Sequence, residues 1–349
     1  MMFLKPDAKI DLEHRAYHLL RGAPPRSVLV AAAEDGQLSV VSPDLKEVRL
    51  RRLPSKIRAV CPHPAGQHLA WVDGKAGSLA VQDCHGSRLL EIAPPQVRET
   101  TPVRIGRGFD DCFYSEDGRF LWTVAPLNSE DVVVQVHEAE TGVTVDRATL
   151  KDLFGGSSCS FHHTGRPGLT SLWLAAGQDG QQVYWLKRTR SGFSCTLEEQ
   201  LSNTIPPVFS PSGKQVLAVN EEQAICKFDF PAMRQVGSPL ESGDEDNPFA
   251  TSLCYLNDRQ ALAGTNEQRI FAVNTARMQV EAEVSLEGHE PRPIGEYYPR
   301  LAKERGLGTD ISYFERLGDV VVFVCRRDRG TGLAGWRDSL LWLSVKRWE

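Results

Sequence analysis

One arrangement of apolar and polar positions keeps returning along the chain. A short apolar run enters a Gly-bearing turn, and the turn leads into a strongly apolar run. The clearest copies are His63-Pro64-Ala65-Gly66-Gln67-His68-Leu69-Ala70-Trp71, Tyr114-Ser115-Glu116-Asp117-Gly118-Arg119-Phe120-Leu121-Trp122 and Phe209-Ser210-Pro211-Ser212-Gly213-Lys214-Gln215-Val216-Leu217. Looser copies run from His163-Thr164-Gly165 into 172–176, from Leu256-Asn257-Asp258-Arg259 into 261–264, and from Arg316-Leu317-Gly318-Asp319 into 320–324. The turn chemistry explains the pattern. Gly takes positive φ at no steric cost, and Asp, Asn and Ser bond their own backbone.

A second element follows each copy: a strand ending in an apolar residue, then another turn. Examples are 78–81 before Cys84-His85-Gly86, 132–136 before Glu140-Thr141-Gly142, and 183–186 before Arg190-Ser191-Gly192. Further examples are 225–228 before Pro231 and 270–273 before Thr275, with an early copy at 38–41 before Pro43-Asp44. The apolar strand ends fall at 41, 81, 136, 186, 228, 273 and 343, so the intervals are 40, 55, 50, 42, 45 and 70. The short intervals match the about 40–45 residues of a four-stranded propeller blade, and the long ones mark loop insertions. Helical periodicity is nearly absent, which excludes a doubly wound α/β fold.

The expected fold is therefore all-β: a single β-propeller domain over 1–349 with seven four-stranded blades. The blades are expected at 11–53, 56–93, 108–150, 157–200, 204–240, 249–286 and 308–349. The last shows three strands, at 310–315, 319–325 and 338–345, and residues 2–4 are expected to supply its fourth. Such a strand would close the ring and remove its open edge. On this pattern the chain resembles the WD-repeat-like β-propeller superfamily across nearly its whole length. Gly288-His289 stands alone, and Val136-His137-Glu138-Ala139-Glu140-Thr141-Gly142 looks like a decayed Trp-Asp segment. The resemblance implies a rigid platform for proteins or peptides.

Composition narrows the classes. Lys and Arg number 40 against 45 Asp and Glu, a net charge of -5, so the overall field does not attract nucleic acid. The eight cysteines form no C-x-x-C pair and read as single strand residues of a reducing compartment. Residues 1–15 lack the apolar run of a secretory signal, and no stretch approaches the roughly 20 apolar residues of a membrane helix. The expected location is cytoplasmic, with no membrane contact.

No residues assemble a catalytic set, and no cofactor or metal is expected. His162-His163 are adjacent on a strand, so they face opposite ways and cannot chelate together. Acidic residues Asp35, Asp73, Asp131, Asp179, Glu221 and Glu267 follow the second strands of several blades. A ring of them would suit a lactonase-like enzyme or metal binder, the alternative reading, although Asp and Glu also suit short turns. Lys46, Arg49, Arg51, Arg52, Lys56 and Arg58 crowd one segment and read as a charged outer strand that discourages edge pairing.

Loop insertions carry the candidate partner surface. The segment 287–308 is the longest, and within it 296–305 reads as a short helix stopped by Gly306. Tyr297 and Trp336 are the expected anchors, with Arg300, Lys303, Arg305, Arg326, Arg327 and Arg329 pairing acidic groups of a protein partner; the last three are read as lying in a loop beside Trp336. The expected function is a non-enzymatic protein-protein interaction scaffold, a subunit or adaptor of a larger assembly.

Overall fold

The computed structural model describes residues 2–348 apart from 13, 15–17, 22–28, 33–35, 42–47, 55, 84, 97–107, 129–130, 152–157, 164–168, 176–180, 190–191, 199–200, 202–204, 221, 243–248, 266–268, 288–308 and 328–336. The described elements are strands, arranged in seven sheets, with one closing 3-10 turn at Val345–Trp348. The fold is a β-propeller.

The sheets fall into two compact units. The first unit holds four. Its opening sheet is β3 (His18–Arg21), β4 (Leu29–Ala32), β5 (Gln37–Val41) and β6 (Val48–Arg52). The next is β7 (Ile57–Pro62), β8 (His68–Asp73), β9 (Leu79–Asp83) and β10 (Arg88–Ile92). The third is β11 (Asp111–Tyr114), β12 (Phe120–Pro126), β13 (Val132–Glu138) and β14 (Thr144–Leu150). The fourth is β15 (Ser158–His163), β16 (Leu169–Ala175), β17 (Gln181–Thr189) and β18 (Gly192–Glu198). Each is an antiparallel meander.

The second unit holds three sheets and the N-terminal strands β1 (Met2–Leu4) and β2 (Ala8–Asp11). Its fifth sheet of the chain is β19 (Val208–Phe209), β20 (Gln215–Val219), β21 (Ile225–Asp229) and β22 (Arg234–Gln235). The sixth is β23 (Phe249–Asn257), β24 (Gln260–Thr265), β25 (Ile270–Asn274) and β26 (Gln279–Leu286), with β1 added in parallel beside β26. The seventh is β27 (Thr309–Leu317), β28 (Val320–Arg327) and β29 (Arg337–Ser344), with β2 antiparallel to β29.

Burial is graded across each sheet. β13 buries Val132, Val133, Val134 and Val136, because the third sheet is packed on one side against the second and on the other against the fourth. β14, the fourth strand, leaves Val143 before it and Val145 within it exposed. In the second unit one apolar cluster joins the fifth and sixth sheets, and another joins the sixth and seventh.

The N-terminal expectation needs correction. Residues 2–4 do not give the last sheet its fourth strand; they lie beside β26, with Met2 opposite Val284 and Leu4 opposite Leu286. Residues 8–11 fill that place, with Ala8 opposite Trp342 and Ile10 opposite Leu340. The cause is polar. Asp7 accepts the Ser344 N–H at 2.7 Å and pairs with Arg347 at 2.5 Å, while Ser339 Oγ donates to Asp11 at 2.8 Å.

The repeated turns have the predicted chemistry. Ser115 Oγ accepts the N–H of Phe120 at 3.0 Å, and Ser210 Oγ accepts that of Gln215 at 3.2 Å. Gly118 and Gly213 take φ of 70° and 66° in these turns. His63, at the matching place before its turn, meets His68 and Tyr114 edge-on, at 5.4 and 5.0 Å between ring centres.

Candidate interaction surface

Of the residues expected to meet a partner, Tyr297, Arg300, Lys303, Arg305, Arg329 and Trp336 lie outside the described residues, as does the helix expected at 296–305. Arg326 and Arg327 do not sit in a loop as expected; they end β28. Arg326 stands in register with Asp310 and Asp338, and Arg327 with Thr309 and Arg337. The ladder extends this far because β27 and β29 continue on both sides of β28.

The acidic loops can be followed at two places. Asp73 Oδ1 accepts the N–H groups of Lys75 and Ala76, both at 2.7 Å. Asp131 Oδ2 accepts from Asn128 Nδ2 at 2.9 Å. Each carboxylate thus closes its own loop, as short polar turns require. Asp35, Asp179, Glu221 and Glu267 lie outside the described residues. Among the described residues no group of three or more His, Cys, Asp and Glu side chains is placed to hold a metal ion.

The most connected polar site is at the entry to β11. Phe109 is fully buried and donates its N–H to Gly77 O at 2.9 Å, which fixes the incoming chain on the loop between β8 and β9. Arg58 Nη1 donates to Phe109 O at 3.0 Å and reaches Asp110 Oδ1 at 3.4 Å. Asp111 follows. Its Oδ1 accepts the Cys112 N–H and its Oδ2 the Phe161 N–H, both at 2.7 Å. Burial pushes Asp110 up to about 6 even though Arg58 draws it down, and pushes Asp111 up to about 7. Cys61 lies alongside, with Sγ accepting the Tyr114 N–H at 3.4 Å, and burial pushes its thiol up to about 12.

These groups couple the second, third and fourth sheets. Two carboxyls with raised values could in principle transfer protons, but both Asp111 oxygens already accept backbone N–H groups. Sequence reading passed over the pair because their partners are about fifty positions away. The available signal was an Asp-Asp dipeptide running directly into the buried Cys112-Phe113-Tyr114. The second unit has the same kind of device. Ser252 Oγ accepts the Phe314 N–H at 3.1 Å, and Arg316 Nη1 donates to Tyr255 O and Leu256 O at 3.0 and 2.7 Å.

His162 contacts Ser160 Oγ through Nε2 at 3.0 Å. His137 is almost wholly buried. Its Nε2 is 2.9 Å from Thr123 Oγ1 and its Nδ1 3.1 Å from Thr144 Oγ1, and burial lowers it to about 4. It bonds across three strands of one sheet as a neutral imidazole.

No family model and no curated protein matches the chain. Among solved structures it is similar to the β-propeller domain of Myceliophteria thermophila Cps50 (Swd1), at 12% identity over 95% of this chain and 99% of that one, with a TM-score of 0.58. At that identity the likeness is one of fold, and the fold that the two chains share is the β-propeller.

Proposed function

We propose that the protein is a non-enzymatic protein-interaction scaffold of the cytoplasm, with its seven sheets serving as blades and β2 completing the last of them. The observation that carries this reading is the pair of hydrogen bonds that Asp111 accepts from the N–H groups of Cys112 and Phe161. Its carboxyl is raised to about 7, as is that of Glu315, yet both its oxygens accept backbone N–H groups and it holds two sheets together. A platform stiffened in this way can present loops at fixed positions, which is what recognition needs. The partner surface is the 287–308 insertion with the segment 326–336. There Tyr297 and Trp336 act as anchors, and Arg300, Lys303 and Arg305 with Arg326, Arg327 and Arg329 meet an acidic partner.

The test is tagged co-purification from the native host, comparing the wild type with a Tyr297→Ala, Arg300→Ala, Lys303→Ala, Arg305→Ala variant and with Trp336→Ala. The expected result is a stoichiometric protein companion that both variants lose. A wild-type chain that emerges alone would overturn the scaffold reading. A companion retained by both variants would overturn the surface.

A further inference from the structure

A cleft of 460 Å³ opens between the first and second sheets of the first unit. Arg51 and Arg52, at the end of β6, form one wall. His85, in the turn after β9, and Arg88, which opens β10, form the other. Trp71 and Gln82 line it from within the second sheet. Among the described residues that line the cleft there is no carboxylate.

Its polar groups are mainly donors. Three guanidinium groups carry fixed positive charge, and guanidinium forks match the oxygens of phosphate two at a time. Trp71 is 2% exposed, and its indole N–H has no hydrogen-bond partner. The neighbouring acids leave the cleft net basic. Asp83 Oδ1 faces its own turn, accepting the N–H groups of His85 and Ser87 at 2.8 Å each. Glu91 pairs with Arg88 at 2.6 Å and is not among the described residues that line the cleft. The turn has room, since a Cβ on Gly86 would meet nothing within 4 Å. The volume is about fifteen times the ~30 Å³ share of one water, so more than a bare ion fits.

We propose that this cleft binds a phosphate group bearing two or more charges, carried either by a soluble phosphate compound or by a lipid headgroup. The site is independent of the scaffold reading and lies on other residues.

The experiment uses the full chain. Inorganic pyrophosphate is titrated in a calorimeter, and sedimentation with phosphatidic acid vesicles is compared with phosphatidylcholine vesicles. The variants are Arg52→Ala, Trp71→Phe and, as a control on the second unit, Arg234→Ala, each checked for an unchanged melting temperature. Saturable pyrophosphate binding that Arg52→Ala weakens about tenfold is expected, as for loss of one charged hydrogen-bonding group. Trp71→Phe should leave it unchanged, because the ring stays and the buried indole N–H is closed off from the cleft. Binding to pyrophosphate assigns a soluble ligand. Binding confined to phosphatidic acid vesicles, with the same sensitivity to Arg52→Ala, assigns a headgroup. No binding to either probe, or equal weakening by Arg52→Ala and Arg234→Ala, would overturn the proposal.

Discussion

Asp111 on β11 accepts the backbone N–H of Phe161 on β15 at 2.7 Å, across the boundary between two sheets. The bond ties a carboxyl held near neutrality to the packing of the fold, and it makes stability sensitive to pH.

With Asp111 raised to about 7 and Asp110 to about 6, the folded chain keeps protons that the unfolded chain releases above its ordinary value of 3.8. The stability this pair contributes is complete below the unfolded value. It is lost as the pH rises through the folded values. Asp111→Asn removes the larger part of this titration. Urea unfolding of the wild type and of Asp111→Asn at about pH 5 and about pH 7.5 tests it. The wild type should lose more stability over that interval than the variant does. Equal losses would mean that Asp111 is ionised throughout.

His137 works in the opposite direction. Burial lowers it from 6.5 to about 4, so the folded chain binds fewer protons than the unfolded chain in between. Its contribution is present above the unfolded value and disappears as the pH falls toward 4. His137→Gln keeps a side chain able to bond Thr123 and ends the titration. Relative to the wild type, the unfolding midpoint of the variant should therefore rise as the pH falls from about 6.5 to about 4.5. The two groups sit in one sheet and have opposite slopes over one window. Asp111→Asn should tilt the wild-type profile toward rising with pH, and His137→Gln should tilt it toward declining.

The parts of the fold that could be read from the chain are those whose cause is local. The run Val132-Val133-Val134 reads as a strand buried on both faces, and Ser115 with Gly118 reads as a turn, because each is fixed by its own sequence. The N-terminal strands were misread for a physical reason. Met2-Phe3-Leu4 is the more apolar run, yet Phe3 is 74% exposed. Ala8-Lys9-Ile10-Asp11 alternates, which is the better sign of a strand with one wet face. What decided the pairing was Asp7 and Asp11 meeting Ser344, Arg347 and Ser339, more than three hundred positions away. The cleft was half legible. The crowding of Arg51 and Arg52 was visible, but Arg88 reaches it only through the packing of the second sheet on the first.

Gly108 and Gly77 make a close backbone crossing. A Cβ added at Gly108 would come within 2.2 Å of Gly77 Cα, and the residue has φ +109°. The obstacle is backbone, so no side chain can swing aside. Gly108→Ala should cost about 1–3 kcal/mol or more through strain and displaced packing. The loss should appear in urea unfolding, with reduced protection of the Phe109 amide in hydrogen exchange, since that amide bonds Gly77 O. A neutral substitution would show that the entry to β11 can move away from the loop beside it.

Asp7 fastens β2 to the last sheet. One oxygen takes the Ser344 N–H and the other the Arg347 guanidinium, while its own N–H donates to Trp342 O at 2.8 Å. The ion pair is partly exposed, with side-chain accessibilities of 46% and 33%, so it contributes little alone. The bond to Ser344 holds the register. Asp7→Asn keeps an acceptor for that N–H and should cost under about 1 kcal/mol, whereas Asp7→Ala loses both contacts and should cost about 1–2 kcal/mol. If β2 peels away, β29 is left as an open edge, a template for pairing with another chain. Light scattering on warming should therefore rise in the order wild type, Asp7→Asn, Asp7→Ala. Hydrogen exchange of the β2 amides should quicken in the same order. Unchanged exchange in Asp7→Ala would place the hold of β2 in the Ala8–Asp11 ladder alone.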